Sequence, residues 1–341
     1  MKSRLRQSLR WGVPLAWNAL ITGKPFLLYL KPTPRCNLRC ECCNRWQSDD
    51  DPTDEIGLDE IRALLEKFRR AGCSVLTLWG GEPTLRSDLG DILRIAQGLG
   101  YRTAMCTNGY LLPRRADQIL PHLDDVLLCS LDGYGATHDE LRATEGLFDA
   151  VVKSLELSRD HPGCHAKIWA SIQRNTVDQV DELVHLAARL DVSIELFPIS
   201  PIAGYNDELV PLPEHLEAAF ARAIELKGQG LPITNPDYAL EIMRTGAAFR
   251  CNFPTIAISV DHRGEVHTCE NPAGERLHRW GHHDRFDPQA TFRSAEYRRA
   301  VASLKDCNQC RLPCMVELSG SIMRGLGSAF LSRRVWRDWL P

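Results

Sequence analysis

The sequence predicts an α/β fold: a partial, TIM-like (β/α)6 barrel followed by a smaller region of different rhythm. Three observations carry this reading. Short apolar, β-favouring runs recur at 26–30, 75–79, 102–106, 126–131, 167–172 and 193–198. Helical stretches lie between them near 58–71, 88–98, 113–121, 146–160 and 177–190, with another following at 213–227. After residue 230 the alternation stops and cysteines reappear. Strands that alternate with helices imply a parallel sheet with right-handed crossovers. In barrels of this kind, reactive side chains gather at the carboxyl ends of the strands.

The 341 residues suit one large domain plus a smaller one. An apolar fraction of 44% with 25% charged residues is that of an ordinary soluble globular protein. Thirteen cysteines with no secretory signal point to metal or redox chemistry in a reducing, cytoplasmic compartment, not to disulfides. Charge is distributed unevenly. Residues 1–40 hold eight Lys or Arg and no acid, and residues 318–341 hold four Arg and one Asp, so the stretch between them is strongly acidic. An acidic centre disfavours a nucleic-acid backbone, and no nucleic-acid module is recognisable.

The domain reading is a basic amphipathic segment at 1–25, the barrel at 26–230, a second cysteine region at 231–317 and a basic amphipathic tail at 318–341. Leu5, Leu9, Val13, Trp17 and Ile21 recur four apart beside Arg6 and Arg10, and Trp336 and Trp339 alternate with Arg333, Arg334 and Arg337. Such segments either pack on the barrel as end caps or lie on an anionic surface, here the inner membrane face. The apolar part, Val13 to Ile21, is too short to span a bilayer.

Four cysteines stand within eight residues, Cys36-Asn37-Leu38-Arg39-Cys40-Glu41-Cys42-Cys43, after the turn residues Pro32 and Pro34. Cys36, Cys40 and Cys43 have the spacing C-x3-C-x2-C. Three thiolates on one tight loop can hold three corners of a cubic iron–sulfur cluster and leave the fourth iron open. Core packing and a zinc site completed from elsewhere are the competing explanations. A polar loop preceded by two prolines suits core packing badly.

These residues resemble the radical S-adenosylmethionine (SAM) enzymes. Cys36, Cys40 and Cys43 fall on that family's cluster motif, and Gly80-Gly81-Glu82-Pro83, after the run at 75–79, falls on its glycine-rich SAM motif. The resemblance spans most of residues 26–200. It has one departure: the position before the last cysteine, usually aromatic, is Cys42, which is read as the spare thiol. The resemblance implies a [4Fe–4S] cluster whose open iron chelates SAM, and reductive cleavage of SAM to a 5′-deoxyadenosyl radical that takes a hydrogen atom from a substrate. It also implies that Gly80, Gly81, Glu82 and Pro83 hold the methionine amino group. Asn108 follows the third strand. Ser130 and Asp132, at the end of the fourth, are expected at the sugar or the methionine part, Asn175 near the ribose, and Phe197 with Pro198 against adenine. Each of these also has an ordinary role as a strand-end cap or turn residue.

The second cysteine set reads Cys251, twelve residues, Gly264, four residues, Cys269, then Cys307-Asn308-Gln309-Cys310 and Cys314. The run 255–260, the turn 261–264 and the return 265–268 predict a β-hairpin. This arrangement is similar to the SPASM/twitch extension of radical SAM enzymes, in its shorter twitch-like form, so the fold expected is the partial barrel with a small C-terminal β-hairpin/helix domain. Cys251, Cys269, Cys307 and Cys310 would then bind an auxiliary [4Fe–4S] cluster, with Cys314 spare or exchanged for one of them. Zinc suits four thiolates as well. Cys73, Cys106, Cys129 and Cys164 read as ordinary buried thiols. In related dehydrogenating members the acid after the second hairpin cysteine is the base, which here is Glu270; a surface Glu is the alternative.

The leading expectation is therefore an oxidoreductase that activates a C–H bond and completes an oxidation or bond-forming step with help from the auxiliary cluster. Its substrate is a small molecule, a peptide or a lipid, and its electron donor is of the flavodoxin or ferredoxin kind. A membrane-surface enzyme that modifies or joins lipid chains, and a non-catalytic zinc or iron–sulfur scaffold, are the alternatives.

Overall fold

The computed structural model describes residues 24–47, 51–269, 278–308 and 310–317. Strand β1 (Leu27–Leu30) is followed by helix α1 (Leu58–Ala71), β2 (Val75–Leu78), α2 (Leu89–Gly98), β3 (Arg102–Thr107), α3 (Leu112–Ile119), β4 (Val126–Ser130), the short α4 (Ala136–Leu141), α5 (Leu147–Ser158), β5 (His165–Ile172), α6 (Val180–Arg189) and β6 (Ser193–Pro198). Then come α7 (Pro213–Gly228), α8 (Asp237–Thr245), the single turn α9 (Phe253–Ile256), β7 (Ala257–Val260), β8 (Glu265–His267), β9 (Arg279–His282), α10 (Pro288–Thr291), α11 (Ala295–Leu304) and α12 (Pro313–Val316).

The strands form one sheet in the order β6-β5-β4-β3-β2-β1-β7-β8-β9. Strands β1 to β6 pair in parallel. The expected hairpin is not an appended layer. Its first strand, β7, pairs in parallel with the other edge of β1, Leu27 against Ala257 through Leu30 against Val260, and only β8 and β9 return antiparallel.

Alternation within the strands separates two environments. In β1, Leu28 and Leu30 are fully buried against the helices, while Tyr29 points to the other side. The Tyr29 hydroxyl lies near enough to Glu195 of β6 and Cys106 of β3 to feel their charges. Strands β1 and β6 are five places apart in the sheet, so the sheet must curl for these residues to meet. The enclosed lumen also holds the Lys167–Glu195 ion pair, with Nζ 2.7 Å from Oε1, and the Trp169–Phe197 edge-to-face pair at 5.2 Å. Helix α12 closes one side: the Glu317 carboxylate accepts from Asn235 at 2.8 Å, and its main-chain carbonyl accepts from the Tyr238 hydroxyl. Burial, and then the nearby Glu195 charge, push Glu317 well above the usual carboxylate range.

Helix α1 shows how local sequence fixes an element. Ile61, Leu64, Leu65 and Phe68 recur at helical spacing and are fully buried. Each contributes roughly 1.5–3 kcal/mol by leaving water. At the start, Glu60 reaches back to the Gly57 N–H at 3.0 Å. At the end, Gly72 takes φ +115°, a left-handed conformation that favours glycine.

Candidate active site at the barrel mouth and a second cysteine nest

The cysteine loop leaves β1 at the carboxyl edge of the sheet, and loops from several other strands hold it. The Gly81 and Glu82 amides, after β2, donate to the Thr33 and Arg35 carbonyls at 3.2 and 2.7 Å. Arg86 Nη1 donates to the Pro32 carbonyl at 3.0 Å, and Asn108 Nδ2, after β3, donates to Asn37 Oδ1 at 3.0 Å. The Glu41 amide donates to Leu141 at the end of α4. After β6, the Tyr205 hydroxyl donates to the Cys40 and Cys43 carbonyls at 3.3 and 3.1 Å, and Asn206 Nδ2 donates to the Cys42 carbonyl at 3.1 Å. Tyr205 and Asn206 were not legible as site residues, because nothing in a turn sequence reveals a partner more than 160 positions away.

The thiols are close to one another. Burial pushes the Cys36 thiol up to about 11, and Glu82, Cys40 and Cys43 add to the rise. Cys40 is lowered by a hydrogen bond with Cys42 and by the Arg142 guanidinium, and Cys42 is raised by that hydrogen bond and by burial. Cys42 also packs against the apolar group Leu141, Ile199 and Leu209.

Glycines in the next motif serve the protein's own backbone. A methyl group on Gly81 would stand 2.0 Å from the Arg35 carbonyl oxygen, and one on Gly80, at φ +126°, would stand 2.4 Å from Lys31 Cγ. The close approach needed here is therefore to the segment that carries the cysteines. Gly81→Ala is expected to cost about 1–3 kcal/mol through overpacking, read as a lower thermal midpoint of oxygen-free protein. A midpoint equal to the parent's would rule this packing out.

Glu82 is buried. Its Oε1 accepts from the Thr84 amide at 3.0 Å, the Thr84 hydroxyl at 2.6 Å and the Thr107 hydroxyl at 2.7 Å, and its Oε2 accepts from the Asn108 amide at 2.7 Å. All four donors are neutral, and among the described residues no Lys or Arg forms an ion pair with it. Burial raises its carboxyl above the usual range despite these bonds. Pro83 is buried at the start of the turn that supplies Thr84.

The other expected residues occupy different settings. Ser130 hydrogen-bonds with the Cys106 thiol, which burial pushes up to about 11. Asp132 is engaged by the protein: Oδ2 accepts from Arg142 Nε and Nη2 at 2.9 and 2.6 Å, and Oδ1 accepts from the Ser171 amide at 3.0 Å. Asn175 is exposed, and Phe197 is buried against Trp169. Two residues before Asn175 stands Gln173, fully buried, with neither side-chain amide atom hydrogen-bonded. It continues the parity of Lys167 and Trp169 toward the lumen, and sequence reading missed it because a Gln after a strand looks like a turn residue.

A second nest forms around β7 and β8. Burial pushes Cys310 up to about 12, and Cys269, Cys251 and Cys307 lie near enough to contribute. The Cys251 amide donates to the Lys305 carbonyl at 2.9 Å and the Cys307 amide to that of Leu304 at 3.1 Å, so α11 sets two of the four. Cys314 lies further inward, hydrogen-bonded with Tyr29 and close to Glu195, Glu317, Cys310 and Cys269. Cys73, Cys129 and Cys164 are buried, whereas Cys106 is half-buried on the lumen side. Glu270, residues 1–23 and the tail at 318–341 lie outside the described residues. Among the described residues, no helix is long and apolar enough to cross a membrane.

Residues 30–187 match the model of the Radical SAM superfamily. An AdoMet-dependent heme synthase of Oleidesulfovibrio alaskensis is 25% identical over 272 residues, covering 71% of this chain and 69% of that protein. The mycofactocin maturase MftC of Mycolicibacterium smegmatis is 25% identical over 308 residues, covering 85% of this chain and 78% of its own length. Streptococcus suis SuiB, solved with S-adenosylmethionine, superposes with a TM-score of 0.68 at 16% identity, covering 91% of this chain and 76% of that one, a likeness of fold. Residues 30–187 are thus a radical SAM domain, the kind that works with S-adenosylmethionine and a [4Fe–4S] cluster.

Proposed function

We propose that this enzyme cleaves SAM reductively, passes the resulting radical character to a substrate C–H bond in the lumen, and completes an oxidation or bond-forming step beside an auxiliary [4Fe–4S] cluster. The observation that carries this reading is the pair of thiol nests, Cys36, Cys40 and Cys43 at the mouth and Cys251, Cys269, Cys307 and Cys310 around β7 and β8, served by adjoining strands of one sheet. When bound, SAM and its cluster supply a 5′-deoxyadenosyl radical, which abstracts hydrogen.

The chain's own residues bind, orient and exclude water. Cys36, Cys40 and Cys43 would hold the first cluster, leaving one iron open for SAM. Cys42 fills the apolar position beside Leu141, and the nearby Arg142 charge favours the thiolate of Cys40. Glu82 suits an ammonium: a buried carboxylate with only neutral donors gains most from a cation. Gly80, Gly81 and Pro83 shape that turn, and Asn108 ties it to the cysteine loop. Ser130, Asn175 and Phe197 are left for the sugar and base, with the unpaired amide of Gln173 beside them. Asp132 positions Arg142.

The Lys167–Glu195 ion pair on the lumen floor favours a polar substrate over a bare lipid chain, since alkyl groups against it would leave both charges without water. A peptide fits this description, and SuiB was solved with the precursor peptide SuiA. Glu270, beside Cys269 in sequence, is the proposed base, and a flavodoxin- or ferredoxin-type donor the source of the electron.

The decisive experiment uses anaerobically reconstituted protein, reductant, SAM and deuterated candidate substrates. About eight irons per chain, the content of two cubic clusters, with deuterium carried into 5′-deoxyadenosine, is the expected result. Four irons with unlabelled 5′-deoxyadenosine for every candidate would remove the auxiliary cluster and the proposed substrates together.

A further inference from the structure

The β8–β9 ribbon and the turn after it pack against helix α1. Phe286 stacks on Phe68 of α1 at 5.7 Å between ring centroids. Lys67 Nζ donates to the main-chain carbonyls of His283 at 2.5 Å and Asp284 at 3.2 Å. Two helical turns before Lys67, on the same face, Glu60 projects toward two consecutive imidazoles, His282 and His283. One ligand atom from each of Glu60, His282 and His283 lies within 4.8 Å of the other two.

We propose that Glu60, His282 and His283 form a divalent-metal site of the zinc class that fastens the β8–β9 ribbon to the barrel. Two imidazoles with one carboxylate is a recognised zinc donor set. Ligands about 2.0 Å from a tetrahedral ion stand about 3.3 Å apart, so the present spacing needs only small side-chain rotations. His283 is 3% exposed, and its Nε2 makes no hydrogen bond, an expensive condition for a buried polar atom unless something else satisfies it. Asp284 sits against both rings, with Oδ2 3.1 Å from His282 Nδ1 and Oδ1 3.6 Å from His283 Nε2, as an outer carboxylate that orients metal-binding imidazoles or completes the set.

The turn before β8 has room made for the rings. Gly264 adopts φ +79°, and a methyl group there would stand 2.5 Å from His283 Cδ2 and 2.8 Å from His282 Nε2. The His283 amide donates to the Gly264 carbonyl at 2.8 Å, which fixes the second imidazole against the turn. The groups facing the site are therefore Glu60 and Lys67 from α1, and His282, His283 and Asp284 from the ribbon. Lys67 is held by carbonyl oxygens, and the carboxylates of Glu60 and Asp284 offset its charge.

The test uses cluster-loaded protein stripped of loosely bound metal with a chelator, then titrated with Zn²⁺ in competition with a chromophoric chelator, oxygen-free. One zinc per chain is expected, with a nitrogen and oxygen shell in its X-ray absorption spectrum. His282→Ala/His283→Ala should remove it. Glu60→Gln, a conservative change at an exposed position that leaves the fold intact, should weaken binding at least tenfold. No zinc retained, a shell made of sulfur, or unchanged affinity in both variants would overturn the site.

Discussion

Replacing Cys36, Cys40 and Cys43 together with alanine should abolish reductive cleavage of SAM while leaving about half of the iron, the content of a single cubic cluster, in place. The first loop would lose every thiol assigned to it, while the second nest, built from β7, β8 and α11, keeps its four. The informative control is Cys42→Ala. Cys42 hydrogen-bonds with Cys40 and packs on Leu141, Ile199 and Leu209, so its loss should cost on the order of 1 kcal/mol of stability. SAM cleavage should persist in that variant. If the triple variant still produces 5′-deoxyadenosine, or Cys42→Ala alone stops its production, the ligand assignment is wrong.

Asp132→Ala should lower unfolding stability by about 3–5 kcal/mol, the range for breaking a buried ion pair from one side. Asp132 is 1% exposed and Arg142 13%. Removing the carboxylate strands a guanidinium among thiols and leaves the Ser171 amide without its acceptor. Arg142 also follows directly on Leu141, whose carbonyl holds Glu41, so the cysteine loop should loosen and iron incorporation should fall with stability. Urea unfolding of reconstituted protein measures the effect; a loss below about 1 kcal/mol, the scale of an exposed pair, would mean that water reaches this site.

The barrel was legible because its signals are local. The run at 75–78 is buried along its whole length, as a parallel strand covered by helices is, and glycines at 57 and 72 bracket α1 at the residues expected, 58–71. Short polar elements escaped: α4 and β9 carry too few periodic apolar positions to stand out from loop sequence, whereas α11 hides Tyr297, Ala300, Val301 and Leu304 at helical spacing among arginines. The motif residues were found by resemblance, but their partners were not. Glu82 was read as a ligand contact; its four neutral donors come from Thr84, Thr107 and Asn108. Asp132 is expected at the sugar or the methionine part, and its oxygens accept from Arg142 and Ser171, a pairing that depends on where α4 returns to the sheet. The parallel seam between β1 and β7 joins residues some 230 positions apart, a closure that no window of sequence contains.

Strand β1 is bonded along both edges, to the strand that leads into the glycine motif and to the strand that leads toward Cys269. An electron exchanged between two inorganic centres is acutely sensitive to the gap it crosses. If the two proposed clusters are both present, the segments that would carry their ligands are joined through β1 and its two ladders, so breathing of the surface connections should leave the transfer rate nearly constant while substrates come and go.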